Sequence, residues 1–372
     1  MANKFKLVVK TFKGLEDILF QELKQLGASE IKKGNRMVEF LGDQAMMYKA
    51  NFHLRTALRV LKPIAEFEVS DENQLYSAIQ KIDWNEYIDL KDTFAIDSVV
   101  NSENFSHSKY VALKAKDAIV DQFREKFEKR PYVDTEDPDL RINIHISHKL
   151  CTLALDSSGE SLHKRGYRIK TTKAPLNEVL AAGMILLSGW DKKSDFVDPM
   201  CGSGTLIIEA AMIANNIPPG VYRQRFGFET WKDFDTELFA QIYEDDSEEV
   251  DSNAKIMGSD ISEIAIRIAQ ENIDNAGLKK KIDLITKPIE NYIPNQTDKG
   301  VVITNPPYGE RIKKNEINSF YKVLGDIFKS KYKGFEIWML SSNFEAIKYI
   351  GLRPTQKETL YNGALECKFF NY

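Results

Sequence analysis

A proline-rich loop near the carboxyl end of the chain carries the residues best suited to chemistry on an amine. The segment Thr304–Gly309 reads Thr-Asn-Pro-Pro-Tyr-Gly and follows the apolar run Val301–Ile303. A residue before proline is driven into extended geometry, and two consecutive prolines fix φ and remove two N–H donors. The loop is therefore predicted to be stiff and rich in acceptors. An ordinary turn at the end of a strand is the alternative interpretation.

These acceptors suit a flat base that carries an exocyclic amine. The lone pair of such an amine is delocalised into the ring, so the amine is a weak nucleophile. The Asn305 side-chain oxygen and the Pro306 carbonyl could accept hydrogen bonds from the two N–H groups of the amine. These hydrogen bonds would favour a nucleophilic geometry at the nitrogen and align the amine for attack. Tyr308 is placed to stack on the base, a contact worth roughly 1–3 kcal/mol.

A second motif, the glycine turn Asp198–Thr205, bears on the co-substrate. It reads Asp-Pro-Met-Cys-Gly-Ser-Gly-Thr and lies between a strand pattern and a helix pattern. The third glycine of the dinucleotide fingerprint would fall at Ile207, so a nicotinamide dinucleotide is disfavoured. The sequence also lacks the P-loop motif that binds triphosphates. Asp260 ends another strand pattern, where its carboxylate could accept hydrogen bonds from ribose hydroxyls.

The carboxyl-terminal half alternates strand and helix patterns, which predicts a doubly wound α/β sheet. Sheets of this class bind ligands beyond the carboxyl ends of their strands. Asp198, Asp260 and Asn305 all follow such ends, so we expect them to meet at one edge. The predicted elements are strands 196–199, 255–260, 282–286, 301–304 and 336–340, helices 203–215, 262–276 and 320–328, an insertion at about 217–254, and a final antiparallel hairpin that turns at Asn362-Gly363.

The amino-terminal half also has the apolar spacing of an α/β structure. A small unit is expected up to about residue 60, with a further α/β segment after it. The predicted strands lie near 5–9, 94–98, 142–146 and 151–155, and the predicted helices near 15–26, 75–82 and 111–127.

Together these motifs resemble those of class I S-adenosylmethionine (SAM)-dependent methyltransferases. The glycine turn is similar to their nucleoside-binding motif, and Asn305–Tyr308, here called the N-P-P-Y loop, is similar to their amino-methylating motif. One branch is matched more closely: the THUMP-domain RNA methyltransferases, specifically the ribosomal RNA guanine-N2 type found as the amino-terminal half of a fused bacterial enzyme. The stretches similar to that branch are His163–Arg168, Pro175–Glu178, Arg225–Trp231, Asn305–Arg311 and Leu360–Gly363.

This resemblance implies a Rossmann-like class I methyltransferase domain preceded by a ferredoxin-like and THUMP α/β RNA-binding region. The expected domains are residues 1–60 (ferredoxin-like), 61–165 (THUMP-like) and 166–372 (methyltransferase). SAM is the implied cofactor, S-adenosylhomocysteine (SAH) its product, and the methyl transfer is direct, with no metal required. The second methyltransferase half of the fused enzyme is absent from this sequence, so its activity should be absent too.

Site residues follow from the matched motifs. Gly202 and Gly204 would admit the methionine part of SAM, Asp260 would hold the ribose, and Ile261 would pack on the adenine. Asp198 is expected to orient the motif or to bind the methionine ammonium through water. The family commonly has an acidic residue after its third strand, where this chain has Thr286–Pro288, so no adenine contact is assigned there. The predicted residues are, for catalysis, Asn305, Pro306, Pro307 and Tyr308; for the cofactor, Asp198, Pro199, Met200, Cys201, Gly202, Ser203, Gly204, Thr205, Asp260 and Ile261; and for RNA, Lys164, Arg165, Arg168, Lys170 and Arg311.

Charge and composition constrain the partner. The formal net charge of −4 argues at first against a nucleic-acid partner. The segment His163–Lys170, here called the basic strip, has several cations and no acid. This pattern is equally typical of a phosphate-binding segment and of a basic interdomain linker. The three cysteines have no disulfide or metal-ligand spacing, and the sequence has neither a signal-peptide core nor a membrane-spanning stretch, so a cytoplasmic protein without a membrane partner is expected.

The predicted function is methyl transfer from SAM to the exocyclic amine of an RNA base. Guanine N2 in 23S ribosomal RNA is the first choice, as naked RNA or within a ribosomal precursor particle. The alternatives are a transfer RNA guanine-N2 methyltransferase, an N6-adenine DNA methylase, and a non-catalytic RNA-binding ribosome-assembly factor.

Overall fold

The computed structural model describes residues 3–172, 175–292, 299–309 and 314–372, and they form two β-sheets with flanking helices. The α/β class and the order of the domains along the chain agree with the prediction. Among the described residues, no helix combines the length and the apolar character that crossing a bilayer requires.

The first sheet belongs to the amino-terminal half and has the strand order β2-β3-β1-β4-β8-β7-β5-β6. Strand β4 pairs with β1 through its first residues and with β8 through the rest, so the sheet continues across the boundary predicted near residue 60. Its strands are β1 (Phe5–Lys10), β2 (Ser29–Gly34), β3 (Met37–Gly42), β4 (Arg59–Glu68), β5 (Thr93–Asn101), β6 (Tyr132–Val133), β7 (Leu140–Ser147) and β8 (Leu150–Asp156).

One face of this sheet packs on helices α1 (Glu16–Gln25), α2 (Gln44–His53), α3 (Glu72–Gln80) and α4 (Ser108–Phe127). Asp43 and Asp71 cap the amino ends of α2 and α3 by accepting hydrogen bonds from backbone N–H groups. The strands and helices expected here are confirmed. Helix α2 was not predicted because its buried residues surround the helix rather than forming one apolar stripe.

The second sheet has the strand order β11-β10-β9-β12-β13-β15-β14. Strands β9 to β13 are parallel, and the final pair is antiparallel, as predicted. These strands are β9 (Asp195–Asp198), β10 (Ile256–Asp260), β11 (Ile282–Thr286), β12 (Gly300–Thr304), β13 (Phe335–Ser341), β14 (Gln356–Asn362) and β15 (Leu365–Asn371). The helices are α5 (Glu178–Leu187), α6 (Thr205–Ala214), α7 (Thr236–Tyr243), α8 (Glu263–Asn275) and α9 (Lys314–Lys331).

The final hairpin turns one residue later than predicted. Asn362 still pairs with Leu365, which leaves Gly363 and Ala364 as the loop. Gly363 has a φ of 63°, the value that a type II′ turn requires of its first loop residue. The hairpin prediction is confirmed, but the expected Asn-Gly loop is wrong.

The insertion between α6 and β10 joins the two halves of the molecule. Its aromatic residues, among them Phe226, Phe228 and Phe239, lie in the same apolar core as the amino-terminal sheet and helices. Tyr48 of α2 stacks on Phe228, with 4.3 Å between the ring centroids. A Cβ atom on Gly227 would lie 2.6 Å from the Gly159 nitrogen, so the backbones meet too closely for any side chain. Residues 244–250, which include the acidic run, are exposed.

Candidate active site

The ends of three parallel strands bring the two sequence motifs together. Strand β9 lies between β10 and β12, so the residues that follow these strands share one edge of the sheet. Asp198, the glycine turn and Asn305 line one pocket at this edge. The expected meeting of the motifs is therefore observed in the fold.

Backbone hydrogen bonds to the neighbouring strand hold the glycine turn. The Cys201 N–H donates to the Ser259 carbonyl at 2.9 Å, and the Gly204 N–H donates to the Cys201 carbonyl at the same distance. The Gly202 N–H donates to Oδ2 of Asp260 at 3.0 Å. The turn is thus anchored to the end of β10 before any ligand is present.

Two glycines give the turn its shape. Gly204 precedes α6 with a φ of 86°, and a Cβ there would lie 3.2 Å from the Ala269 Cβ of α8, so helix and turn are in close contact. A Cβ on Gly202 would meet no atom within 4 Å in the described part of the chain, so the space over the turn is open. No described side chain caps the first N–H groups of α6. Those groups can therefore bind a carboxylate such as that of methionine.

Asp198 is buried beneath the turn. Its Oδ1 accepts hydrogen bonds from the Thr304 hydroxyl at 2.9 Å and from the Met200 N–H at 3.1 Å. Burial raises the pKa of the Asp198 carboxyl to about 7, although both hydrogen bonds act in the opposite direction. The carboxyl is therefore close to its pKa at neutral pH, and a nearby cation favours its charged form.

Asp260 presents its carboxylate where a ribose was predicted. Its Oδ1 accepts from the Ser262 N–H at 2.9 Å, while Oδ2 holds the turn. A carboxylate has about four acceptor positions, so two of them stay available for hydroxyl groups. The neighbouring Ile261 is 74% exposed, which leaves its apolar surface free to cover a flat ring.

Side chains of α9 and of the segment after β13 hold the N-P-P-Y loop. The Tyr308 hydroxyl donates to Oδ1 of Asn305, and Nδ2 of Asn343 donates to the Tyr308 carbonyl at 2.8 Å. Tyr321 donates to the Pro307 carbonyl at 3.4 Å. Burial raises the pKa of the Tyr308 phenol well above its usual value, so the phenol stays protonated. To stack on a base as predicted, this ring has to release the Asn305 oxygen that the amine would use.

Arg165 requires a correction, because the structure places it inside the protein rather than at an RNA surface. It is 2% exposed, and its Nε lies 3.4 Å from Oε1 of Glu209 on α6. The guanidinium also donates to the backbone carbonyls of Leu162 and Arg55. The predicted RNA contact of Arg165 is therefore wrong, since phosphates cannot reach it. Its role is to join the two halves of the molecule.

The other predicted RNA-binding residues have different surroundings. Arg168 is mostly buried and donates to the Thr205 hydroxyl at 2.7 Å and to the Leu176 carbonyl at 2.8 Å. The Lys164 and Lys170 side chains are 58% and 60% exposed and form ion pairs with Glu160 and Glu271. Arg311 lies outside the described residues.

The sequence patterns missed several residues of the site. Thr304 begins the proline-rich segment, yet its hydroxyl contact with Asp198 depends on the pairing of β12 with β9. Thr172 and Leu176, which follow the basic strip, form a wall of the same pocket. Asn272 of α8 was also missed, although it contacts the turn. Thr172 and Asn272 lie in no motif, while Thr304 and Leu176 lie in stretches whose other residues drew the prediction.

Comparisons with known families cover most of the chain. Residues 165–371 match the family described as "RMKL-like, methyltransferase domain". Residues 69–156 match the THUMP domain, and residues 6–61 match the RlmL ferredoxin-like domain. The matches follow the order of domains expected from the sequence.

Individual proteins extend this similarity. A ribosomal RNA large subunit methyltransferase K/L of Syntrophotalea carbinolica is 39% identical over 384 aligned positions, which cover 100% of this chain but 54% of the relative, so the chain spans about half its length. A putative RNA methyltransferase of Synechocystis sp. is 38% identical, with 97% of this chain and 94% of the relative covered. The crystal structure of a putative methyltransferase complexed with SAH has a TM-score of 0.88 at 30% identity and covers 100% of this chain and 98% of that one.

Proposed function

The chain belongs to the RMKL-like methyltransferase family, and from this premise we propose that it transfers a methyl group from SAM to the N2 amine of a guanine in 23S ribosomal RNA. The observation that carries the proposal is the single pocket shared by Asp198, the glycine turn and Asn305. A donor held over the turn and an amine held by Asn305 would meet there.

The residues of the turn fit SAM by their chemistry. The open space over Gly202 admits a ligand close to the backbone, and the N–H groups of the first turn of α6 suit its carboxylate. Asp260 would take the ribose hydroxyls, Ile261 would cover the adenine, and Asp198 would face the positive charge. When bound, SAM supplies an electrophilic methyl group on a sulfonium sulfur.

The amine would be oriented by acceptors of the N-P-P-Y loop. Oδ1 of Asn305 and the Pro306 carbonyl would accept hydrogen bonds from the two N–H groups of the amine, so that the nitrogen lone pair faces the methyl group. As the bond from nitrogen to carbon forms and the bond from carbon to sulfur breaks, positive charge develops on the amine, which then releases one proton to solvent. Fixed acceptors stabilise this charge, and orientation lowers the barrier further, by as much as about 7–11 kcal/mol in ideal cases.

RNA as the substrate is supported by the THUMP match and by the exposed cations of the basic strip. Lys164 and Lys170 are our candidates for phosphate contacts.

The proposed domains are residues 1–60, 61–165 and 166–372. Removing the first two domains would expose the aromatic residues of the insertion, so RNA capture is better tested by surface substitutions than by truncation.

The test is methyl transfer by the purified chain from radiolabelled SAM to 23S ribosomal RNA, bulk transfer RNA and duplex DNA, followed by digestion and identification of the labelled nucleoside. The proposal predicts label in N2-methylguanosine from 23S RNA, with an initial rate of labelling lower by about 100–1,000-fold for Asn305→Ala. Label in transfer RNA guanine would move the target, and label in N6-methyladenine of DNA would overturn the RNA assignment. SAH binding without transfer to any substrate would favour a non-catalytic RNA-binding factor.

A further inference from the structure

Asn272 is a fully buried side chain that joins the basic strip to the glycine turn. Its Oδ1 accepts hydrogen bonds from the N–H groups of Ile169 at 3.1 Å and Lys170 at 3.2 Å. Its Nδ2 donates to the carbonyls of Lys170 at 3.0 Å and Ser203 at 3.1 Å. Both amide donors and the amide oxygen are therefore in use.

The two segments that Asn272 joins both form walls of the pocket that Asp198 and Asn305 line. Ser203 lies in the glycine turn, and Lys170 lies two residues before Thr172, which lines the pocket with Leu176. Holding Lys170 and Ser203 to one carboxamide fixes the distance between these walls. A ligand that fits between them therefore depends on a residue that does not itself line the pocket.

The surroundings of Asn272 make this contact hard to replace. Helix α8 already packs closely on the turn, because a Cβ on Gly204 would lie 3.2 Å from the Ala269 Cβ. Truncating Asn272 would leave the carbonyls of Ser203 and Lys170 without this donor, and such carbonyls recover their hydrogen bonds by moving toward water.

We propose that Asn272 is a positioning residue for the methyl donor, which it serves by clamping the strip against the glycine turn. The inference rests on the proposed function for the identity of the ligand, SAM or SAH. Asn272 would act through the turn and touch neither the donor nor the RNA base. Its loss would therefore weaken donor binding without altering the chemical groups that contact the reacting atoms.

The same helix offers a control at an exposed position. Nδ2 of Asn275 donates to the carbonyls of Gly166 at 3.2 Å and Tyr167 at 2.9 Å. Asn275 thus also ties α8 to the basic strip, but it has no described contact with the turn. Asn275→Ala and Asn272→Ala both remove a carboxamide between helix and strip, and only the second frees the turn.

The experiment is isothermal titration of SAH into the purified full chain and both variants, with melting temperatures measured in parallel. We expect Asn272→Ala to raise the Kd for SAH about tenfold, equivalent to about 1.4 kcal/mol, and Asn275→Ala to change it less than about twofold. The KM for SAM should also rise in Asn272→Ala. A purely structural role would lower both melting temperatures and leave the Kd values alike.

The outcomes separate this inference from the proposed function. Equal Kd values for SAH in the two folded variants would overturn the inference while the native chain still binds SAH. Failure of the native chain to bind SAH would instead overturn the proposed function. If Asn272→Ala does not fold, Asn272→Asp decides in the same titration, because it keeps the volume and an acceptor for the strip but loses the amide donor to Ser203.

Discussion

The glycine turn and the basic strip lie against each other, yet their residues are fixed by different means. Cys201, Gly202 and Gly204 are held by contacts within the turn and with the adjacent strand end. Arg165 of the strip is held by Glu209 and by backbone carbonyls of the amino-terminal half. The turn is thus positioned by the strand end that parallel pairing brings beside it, whereas the role of a cation in the strip depends on partners elsewhere in the fold.

The largest expected effect concerns Arg165, the buried cation of the basic strip. Arg165→Met should lower the free energy of unfolding by about 3–5 kcal/mol, because it leaves the Glu209 carboxylate buried without its cation. Urea unfolding followed by circular dichroism measures the change. Lys164→Met, one residue away and exposed, should stay within about 0.5 kcal/mol of the native value. Equal stabilities of the two variants would remove the distinction drawn within the strip.

A substitution in the N-P-P-Y loop should lower catalysis without lowering stability. Asn305→Ala removes the side-chain acceptor for the amine, so the rate of a single turnover should fall on the order of 100–1,000-fold, as when a transition-state hydrogen bond is removed elsewhere. The Kd for SAH should remain near the native value, since Asn305 is expected to serve the base. A normal single-turnover rate would contradict the role assigned to the N-P-P-Y loop.

The turn should also respond to pH through Asp198. With a pKa of about 7, this carboxyl holds a proton in the folded protein between about pH 4 and pH 7, where the unfolded chain, with a pKa of about 3.8, has released it. Its contribution to stability is therefore complete below pH 4 and is lost as pH rises through 7. The ionised form attracts a cationic donor, so affinity for SAM should rise over the same range. Isothermal titration of SAM from pH 5.5 to 8.5 should find this rise in affinity in the native chain and not in Asp198→Asn.

The smallest effect concerns the exposed part of the strip. Lys164→Ala and Lys170→Ala should each weaken RNA binding and reduce the slope of log K against log salt concentration by about one, if each lysine neutralises one phosphate. Filter binding of a 23S RNA fragment at several salt concentrations measures this slope. The Kd for SAH should not change. An unchanged slope in both variants would leave the strip with a structural role alone.

The sequence was sufficient for the features that short-range chemistry decides. Strand ends followed by Asp198, Asp260 and Asn305 could be located from apolar runs, and parallel pairing then brings them to one edge. The turn of the last hairpin was shifted by one residue because Asn-Gly and Gly-Ala are both acceptable two-residue loops.

Features that depend on remote partners could not be located in this way. Arg165 and Glu209 are 44 residues apart, and nothing in the sequence pairs them. The aromatic residues of the insertion complete the amino-terminal core rather than their own domain's core, as the contact between Tyr48 and Phe228 illustrates. In the sequence, Asn272 is an ordinary polar residue of an amphipathic helix, and only the fold shows its contact with the basic strip.

The most direct test of the central claim is mass spectrometry of nucleosides from ribosomal and transfer RNA of a strain that lacks this protein. The strain is complemented with the native chain or with Asn305→Ala. We predict the loss of one N2-methylguanosine from 23S RNA, restored by the native chain and not by the variant. Unchanged levels of every RNA modification in the deletion strain would contradict the assignment.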